Sequence, residues 1–392
     1  MERKLASIQI IEKLDPIEGA DFIERATVLG WHCVVRKGDF KEKDKCIYIE
    51  IDAMLPDIPA FAFLKDPKGK VPEYGFVHRL KTKKLKGQIS QGLIISLKED
   101  FQKWDPKSLV KVGDDVTELI GIKKYEPPVL ASLRTGQAKK TFPSFIPRTD
   151  ETRVQNIPWI TEAFQGKKVY VTVKLDGTSV TYYIKDGQFG VCSHNMEWKK
   201  PIPEPVWREK FTKILFRIGL LKIFRKYGYL RAWQAGAKNT YWEVAESLEI
   251  ERIMRENNSS FKYVPPLFLL IPKNWAIQGE ICGPGIQNNR LGLKEKQFFV
   301  FDVYDIDNKR YLNYDDQNLF VRNMSLSRVP DVGVFEFVWK TVDEVLKAAE
   351  GKYGNGHNRE GIVIRTYEET DWPRYGRGSF KAVNNSYLLE GD

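Results

Sequence analysis

The chain has 392 residues, of which 42% are hydrophobic, and its formal net charge is +10. This length predicts two or three domains with ordinary buried cores. The excess of Lys and Arg favours a polyanionic partner, above all nucleic acid, over a merely basic soluble protein. No apolar run is long enough to cross a bilayer and the first residues lack an apolar signal core, so we expect neither a membrane protein nor a secreted one.

The cysteines are scattered along the sequence. None stands in a Cys-x-x-Cys pair, and only four His are present. We therefore expect neither a zinc site nor a disulfide framework, and an intracellular, reducing compartment, the cytoplasm or the nucleoplasm, fits best. The cysteines are Cys33, Cys46, Cys192 and Cys282.

Residues 1–120 are predicted to form a small β-barrel. Short strand-like runs at 6–11, 22–28, 31–35, 46–51 and 92–96 are separated by turns that contain glycine, which is typical of such barrels. Three segments, 15–21, 26–31 and 36–40, resemble OB-fold nucleic-acid-binding domains of the tRNA-binding kind.

A basic segment and a linker follow. Residues 79–86 read Arg-Leu-Lys-Thr-Lys-Lys-Leu-Lys and predict a basic hairpin. It is either a surface that follows nucleic-acid phosphates or a solvated charged loop. Residues 121–143 contain Pro127 and Pro128 and show weak periodicity, which predicts an interdomain linker. A second domain is expected from residue 144 to residue 392.

One stretch of the second domain, residues 171–179, carries the chemistry. Its β-branched residues predict a strand, and Lys174, Asp176 and Gly177 stand where the strand runs into a turn. A lysine at the end of a strand is held still and can be directed at a phosphate. An aspartate beside it can recruit a metal, and glycine lets the backbone turn closely. The pattern indicates a lysine nucleophile for a nucleotide α-phosphate, although an ordinary surface turn has the same short sequence.

Helices are predicted in three places. For residues 149–156 the ordinary interpretation is a helix start, with Thr149 as N-cap and Arg153 in solvent, and the alternative is a functional role for Arg153. Residues 207–231 place apolar residues at helical spacing and basic residues largely elsewhere. Such a helix packs on a core and presents its basic face to solvent or RNA, or else contacts a membrane surface. Residues 242–256 predict another helix, so a basic helical segment spans about 200–257. Further strands are predicted at 276–281, 297–304 and 361–366.

Four short motifs follow Lys174 in a fixed order. Each fits an ordinary strand when taken singly, but their joint occurrence is much harder to dismiss. They are Gln278-Gly279-Glu280, Phe298-Phe299-Val300-Phe301-Asp302, Glu360-Gly361-Ile362-Val363-Ile364-Arg365 and Gly378-Ser379-Phe380-Lys381. The set resembles the covalent nucleotidyltransferase superfamily of polynucleotide ligases and RNA capping enzymes. Within it, the best match is the ATP-dependent RNA ligases of the Deinococcus/Naegleria type, which carry an OB domain before the catalytic domain.

The resemblance implies a fold and a nucleophile. The fold is α+β, with an N-terminal OB-type β-barrel before an adenylyltransferase domain, an ATP-grasp-like ligase domain of antiparallel sheets with flanking helices. Lys174 would attack ATP, release pyrophosphate and hold AMP through a phosphoramidate, with its amine uncharged at the moment of attack. Asp176, Glu280 and Glu360 are the implied metal ligands for Mg²⁺ or Mn²⁺, since hard cations favour oxygen.

The resemblance also implies the nucleotide contacts. Glu280 would hold the ribose hydroxyls, and either Phe299 or Phe301, with Phe299 preferred, would stack on the adenine. Lys381 would neutralise the α-phosphate during in-line displacement, which makes it the second catalytic lysine. The implied nucleotide-binding residues are Arg153, Asp176, Gly177, His194, Glu280, Phe299, Glu360 and Lys381.

Two positions depart from the family pattern. His194 stands where these ligases usually have arginine, and an imidazole lacks the fixed guanidinium charge. Ser379 stands where the last motif usually has its first lysine, and Arg374 or Arg377 is a candidate to supply the missing charge. These changes affect the expected rate and triphosphate handling, while the nucleophile and the key carboxylates are in place.

The predicted function is ATP-dependent, AMP-forming RNA ligation. AMP passes from Lys174 to an RNA 5′-phosphate, and a 3′-OH then attacks and seals the break. The expected substrate is nicked or broken RNA or an RNA–DNA hybrid, and the protein is expected to act as a monomer. The alternatives are a GTP-dependent capping guanylyltransferase, a DNA ligase and a catalytically inactive RNA-binding protein on the same scaffold. In the first two an OB domain typically follows the core, whereas here the candidate OB domain precedes it.

Overall fold

The computed structural model describes residues 4–65, 75–97, 111–125, 138–201, 239–257, 262–264, 267–269, 272–372 and 376–390. An N-terminal β domain is followed by a domain of two sheets with flanking helices, so the predicted α+β class is confirmed. In the described ranges, no helix is long and apolar enough to cross a membrane. All four cysteines are free and buried.

The N-terminal domain consists of short strands. In the described part they are β1 (Ala6–Pro16), β2 (Ile23–Val28), β3 (Trp31–Arg36), β4 (Lys45–Ile49), β5 (Ala53–Pro56), β6 (Phe76–Arg79), β7 (Lys83–Leu85), β8 (Gln88–Ser90), β9 (Leu93–Ser96) and β10 (Lys123–Lys124), with helix α1 (Thr117–Ile120). The five-stranded sheet has the order β3-β2-β1-β4-β9. A register shift between Ile11 and Lys13 divides β1, so that its first half pairs with β4 and its second half with β2. Such a bulge bends a strand so that it serves two sides of a small barrel.

The second domain contains the larger sheets. Its described strands are β11 (Ala138–Thr141), β12 (Lys168–Lys174), β13 (Thr178–Lys185), β14 (Gln188–Ser193), β15 (Met196–Trp198), β16 (Lys262–Val264), β17 (Leu267–Leu269), β18 (Trp275–Cys282), β19 (Gln297–Asp305), β20 (Arg310–Tyr311), β21 (Ser327–Arg328), β22 (Asp331–Glu336), β23 (Gly361–Thr366), β24 (Asp371–Trp372), β25 (Gly376–Arg377) and β26 (Ser379–Val383). Its described helices are α2 (Ile160–Ala163), α3 (Thr240–Ser247), α4 (Ile250–Asn257), α5 (Tyr314–Asn323), α6 (Val342–Ala349) and α7 (Asn385–Glu390).

Two sheets of the second domain face each other across the candidate site. The larger has the order β11-β15-β14-β13-β18-β19-β20, with β21 beside β19, and the smaller has the order β22-β12-β23-β26. Alternation divides the smaller sheet into two faces. Its apolar face, which includes Val171, Ile364 and Phe380, packs with α6 in a buried core. The opposite face carries Lys174 and Lys381, because these residues alternate with that apolar set.

Both ends of the predicted linker are strands. β10 pairs with β5 of the N-terminal domain, and β11 pairs with β15 of the larger sheet. These strands are rich in exposed lysines, so their sequence lacks the apolar alternation from which a strand is predicted. Residues 126–137 lie outside the described part, and the exact domain limits stay a prediction.

The helix predictions have three outcomes. The amphipathic helix predicted over 207–231 lies outside the described residues. The helix predicted over 242–256 is two helices, α3 and α4, because Glu249 has a φ of 51°, which a continuous right-handed helix does not allow. The helix start predicted at Thr149 was wrong: only a short 3₁₀ turn forms at Val154–Asn156, and the Thr149 hydroxyl instead bonds the Ser179 hydroxyl at 2.9 Å.

Candidate active site

Lys174 and Glu360 are held together by neighbouring strands. Lys174 is the last residue of β12 and pairs in register with Gly361 of β23, so Glu360 lies beside it. The distance from Lys174 Nζ to Glu360 Oε1 is 2.6 Å. Tyr353 supports both residues: its hydroxyl donates to the Lys174 carbonyl at 3.2 Å and accepts from the Glu360 amide at 3.4 Å. The predicted nucleophile is therefore fixed by two strands and a tyrosine.

The carboxyl groups around Lys174 shift the pKa of the amine, and each of them shifts the pKa of the others. Burial opposes the charged amine, but Glu360 and Glu280 outweigh burial and raise the pKa of Lys174. Burial raises the pKa of Glu280 to about 8; Lys174 opposes this rise, while Glu360 and Asp176 add to it. Burial and Glu360 likewise raise the pKa of Asp176. The site thus holds a protonated amine beside a carboxyl group that exchanges its proton near neutral pH.

Gly177 allows β18 to approach the nucleophile. A Cβ atom at this position would stand 2.5 Å from the carbonyl oxygen of Ile281 and 2.7 Å from Cγ of Glu280. Both distances are shorter than real Cβ contacts, so any side chain here would push Glu280 away. This close backbone approach is the role that the structure gives to the predicted glycine.

The carboxylates Asp176, Glu280 and Glu360 offer only oxygen donors, which suit a hard divalent cation. Among the residues that the structure describes, no group of three His, Cys, Asp or Glu could hold an ion directly. In nucleotide sites, however, Mg²⁺ keeps several waters and is held by one or two carboxylates plus phosphate oxygens. The donor chemistry therefore fits a hydrated ion shared with a nucleotide, and the three-ligand set stays a prediction.

Lys381 lies on the same sheet face as Lys174, on β26, two strands away in the sheet order. Its Nζ is 2.9 Å from Asp150 Oδ1. Burial lowers the pKa of Lys381; Asp150 opposes this shift and Lys174 strengthens it. Burial also lowers the pKa of His194. The negative charge of Asp150 opposes this shift, and the positive charges of Lys124, Arg148 and Lys381 strengthen it. His194 is therefore neutral at neutral pH, beside a group of cations that suits a polyphosphate.

Arg153 is held between the two domains. Its guanidinium lies 5.7 Å from the ring centroid of Trp31 and Nη2 is 3.8 Å from Asp52 Oδ2, both in the N-terminal domain. Its backbone bridges to Lys381. With 12% of its side chain exposed, Arg153 is not the solvated residue that a helix start would give. The predicted phosphate contact is therefore positioned in part by the N-terminal domain.

Phe299 and Phe301 lie on β19, next to the catalytic strands. Glu280 pairs in register with Phe299, so the predicted ribose and adenine contacts are neighbours. Both rings are partly buried and pack in one small cluster with Leu175, the residue after the nucleophile. The preference for Phe299 as the adenine partner stays a prediction.

Arg290 and Tyr387 are site residues that the sequence motifs missed. Arg290 Nε is 3.3 Å from Asp176 Oδ2, and the Tyr387 hydroxyl bonds Asp176. Arg290 lies 4.5 Å from the Tyr387 ring and pairs with Glu390. Helix α7 therefore contacts Asp176, the carboxylate next to the predicted nucleophile, through Tyr387 directly and through Glu390 by way of Arg290. Neither residue belongs to a recognised motif, so only the fold reveals them.

Replacing Tyr387 with phenylalanine is expected to slow modification of Lys174 by about tenfold, because Asp176 loses a hydrogen bond to a charged group. The aromatic ring remains, so its contact with Arg290 is kept. The measurement is the rate of covalent nucleotide transfer to the protein. Tyr367→Phe is the matched control, since its hydroxyl bonds Asp315 at 2.6 Å outside the site. Equal rates for the two variants would contradict this role for Tyr387.

A group of buried charges lies on the same sheet face as Lys381. Arg377 bonds both oxygens of Asp302 at 2.8 Å and pairs with Glu369 at 2.5 Å. Arg365 pairs with Asp302 at 3.2 Å. Arg377 is thus committed to carboxylates and does not replace the lysine missing at Ser379. Arg374, the other candidate, lies outside the described residues.

Comparisons with known proteins agree on both domains. A family model of an OB-fold domain matches residues 5–97, and a model described as RNA ligase matches residues 167–383. Among solved structures, Naegleria gruberi RNA ligase with PPi is 32% identical, with a TM-score of 0.78 over 100% of this chain and 99% of that one. Mutants of the same ligase in the apo form and with AMP and Mn are each 33% identical with a TM-score of 0.77, covering 99% and 98% of this chain and 98% of theirs. The search of curated proteins returned no match.

Proposed function

The chain belongs to the RNA ligase family, and we propose that it is an ATP-dependent, AMP-forming RNA ligase that joins a 3′-OH end to a 5′-phosphate end through a covalent lysyl-AMP. The observation that carries the proposal is the 2.6 Å contact between Lys174 Nζ and Glu360, inside a site that also holds Glu280, Asp176 and Gly177. A lysine held at the end of a strand is placed to attack a nucleotide α-phosphate once a nearby cation lowers its pKa.

ATP and a divalent metal are the proposed cofactors. Structures of the similar Naegleria gruberi ligase are described with ATP and Mn, with AMP and Mn, and with PPi. The oxygen donors of Asp176, Glu280 and Glu360 suit Mg²⁺ or Mn²⁺. Bound there, such an ion would supply positive charge that lowers the pKa of the amine and stabilises charge on the α-phosphate.

The first step transfers AMP from ATP to Lys174. A bond forms between Lys174 Nζ and the α-phosphorus, and the bond from that phosphorus to the bridging oxygen of pyrophosphate breaks. The amine must first lose a proton to solvent, and because the neighbouring carboxyl groups raise its pKa, the positive charge of a bound divalent ion or of Lys381 would lower that pKa for attack. Lys381 contributes positive charge on the same sheet face, where the phosphate becomes more negative.

The later steps use nucleic acid. AMP moves from Lys174 to an RNA 5′-phosphate, which becomes an adenylylated end, and a 3′-OH then attacks that end and releases AMP. We propose a nick or break in a duplex as the substrate, with RNA or DNA as template, and a monomer as the active form. The excess positive charge and the OB-type domain support a nucleic-acid substrate.

The deciding experiment is incubation of the protein with Mn²⁺ and either α-labelled ATP or α-labelled GTP, followed by a denaturing gel. The expected result is an acid-labile AMP adduct and no GMP adduct. A GMP adduct would assign capping chemistry. Absence of both adducts, in a preparation that mass spectrometry shows to be free of bound AMP, would assign an inactive scaffold. Sealing of nicks with DNA but not RNA at the 3′-OH end would assign a DNA ligase.

A further inference from the structure

In the part of the chain that the structure describes, the hairpin of β7 and β8 is a basic exposed segment that the active site leaves unexplained. Residues 75–97 contain no Asp or Glu and include five Lys or Arg residues. The hairpin exposes Lys83, Lys84 and Lys86 to solvent, with Lys86 and Gly87 at its turn. The sequence leaves two explanations open, a solvated loop and a phosphate-binding surface.

The lysines of the hairpin differ from other exposed lysines in their surroundings. Lys65 pairs with Asp57 at 2.7 Å and Lys185 with Asp186 at 2.6 Å. For Lys83, Lys84 and Lys86, no ion pair with any described residue is present. Three such ammonium groups on one short hairpin repel one another, and this arrangement is stabilised when an external polyanion binds. The charge pattern therefore favours a phosphate backbone over plain solvation.

The hairpin is anchored at the edge of the active site. At its base, the Ser90 hydroxyl accepts from the Val34 amide at 3.0 Å. The next residue, Gln91, donates from its side chain to Asn385 of helix α7 at 3.1 Å. The neighbouring Asn384 amide donates to the carbonyl of Glu360 at 2.9 Å. A short chain of hydrogen bonds thus connects the root of the hairpin with the residue that pairs with Lys174.

We propose that this hairpin binds the phosphate backbone of the RNA substrate and holds it next to the active site. This inference rests on the proposed ligase function and adds a surface to it. Lysines act as point charges on phosphates and carry no base information, so the contact is independent of RNA sequence. It contributes to RNA binding and sealing, whereas modification of Lys174 by ATP does not require it.

The test compares two triple variants that remove the same charge. The first is Lys83→Gln, Lys84→Gln and Lys86→Gln. The matched control is Lys309→Gln, Lys340→Gln and Lys347→Gln, all outside the hairpin and the active site. Lys347 lies on α6, which packs on the sheet face opposite Lys174. The measurements are the amount of AMP adduct, and binding to a nicked RNA duplex with a 5′-phosphate over a series of KCl concentrations.

The hairpin variant is expected to form the AMP adduct like the wild type, but to bind the duplex about tenfold or more weakly at low salt. Its slope of log affinity against log salt is expected to fall by about three, because each of the three lysines neutralises one phosphate in the wild-type complex. The control variant is expected to keep most of the affinity and the slope.

Equal affinity and slope for the hairpin variant and the control would overturn the inference. The inference would also be overturned if the hairpin variant lost as much affinity for an acidic peptide of matched charge as for the RNA duplex. The hairpin would then not be specific for nucleic acid. These outcomes are distinct from failure of the proposed function, which would appear as a missing AMP adduct in the wild type, whatever the binding curves show.

Discussion

Replacement of Lys174 by alanine is expected to abolish covalent transfer of AMP from ATP to the protein. The amine of Lys174 lies 2.6 Å from Glu360 at the end of β12. Lys381, which also lies on this sheet face, is paired with Asp150 and belongs to β26, so it is not held where the strand-end amine stands. The measurement is a denaturing gel after incubation with α-labelled ATP and Mn²⁺, and the expected signal is at background.

Lys168→Ala is the matched control for this prediction. Lys168 begins the same strand and lies on the same face as Lys174, since alternate residues of a strand share a face. Its Nζ lies 3.5 Å from the ring centroid of Tyr367, away from the carboxylates of the site. This variant is expected to label like the wild type. A labelled Lys174→Ala protein would remove Lys174 from the role of nucleophile and return attention to Lys381.

The catalytic motifs could be found in the sequence because each is a short run with its own chemistry. Lys174 and Glu360 are far apart along the chain, yet both stand at the ends of apolar strands that the sequence predicts, and the structure shows that these two strands pair. The strands at 276–281, 297–304 and 361–366 are likewise found, as β18, β19 and β23, because buried β-branched and aromatic runs are a strong local signal.

The supporting residues could not be found in the same way. Arg290 lies in a loop and Tyr387 on a short helix, and they meet Asp176 only because the chain folds back over the site. The family pattern points to Arg153 as a phosphate contact, but the position of its side chain against Trp31 and Asp52 depends on how the two domains pack. Such contacts join distant residues without periodicity, so no local pattern predicts them.

The domain contact also changes what the N-terminal domain is expected to do. The Trp31 indole donates to Asn156 at 2.6 Å, and the Gly30 amide donates to the carbonyl of Gln155 at 2.9 Å. These bonds fix the backbone just after Arg153. The N-terminal domain therefore positions Arg153, the residue predicted to contact phosphates, in addition to the nucleic-acid binding that its fold suggests.

The buried charges on the sheet face of Lys174 and Lys381 connect the elements that carry the catalytic groups. Arg365 lies on the strand that Glu360 precedes, Asp302 on the strand of Phe299, and Arg377 just before the strand of Lys381. Glu151 lies two residues before Arg153, and its Oε1 is 3.3 Å from Arg365 Nη2. This contact connects the segment of Arg153 to the same group of charges. Ion pairs thus join the two sheets on the face of the smaller sheet that carries Lys174 and Lys381.

Arg365→Met is expected to lower the free energy of unfolding by about 2–3 kcal/mol, because Asp302 and Glu151 lose a buried charged partner and are left with Arg377. Arg365 is 3% exposed and serves Asp302 and Glu151; once it is removed, Glu151 retains Arg377 at 4.0 Å. Urea unfolding measures the change.

Arg252→Met is the matched control, because Arg252 also contacts two carboxylates, Glu249 and Glu256. Its side chain is 59% exposed, and exposed ion pairs contribute little to stability. If both variants lost the same stability, the buried ion pairs would not be what holds the two sheets together, and the apolar cores on either side would have to carry that role.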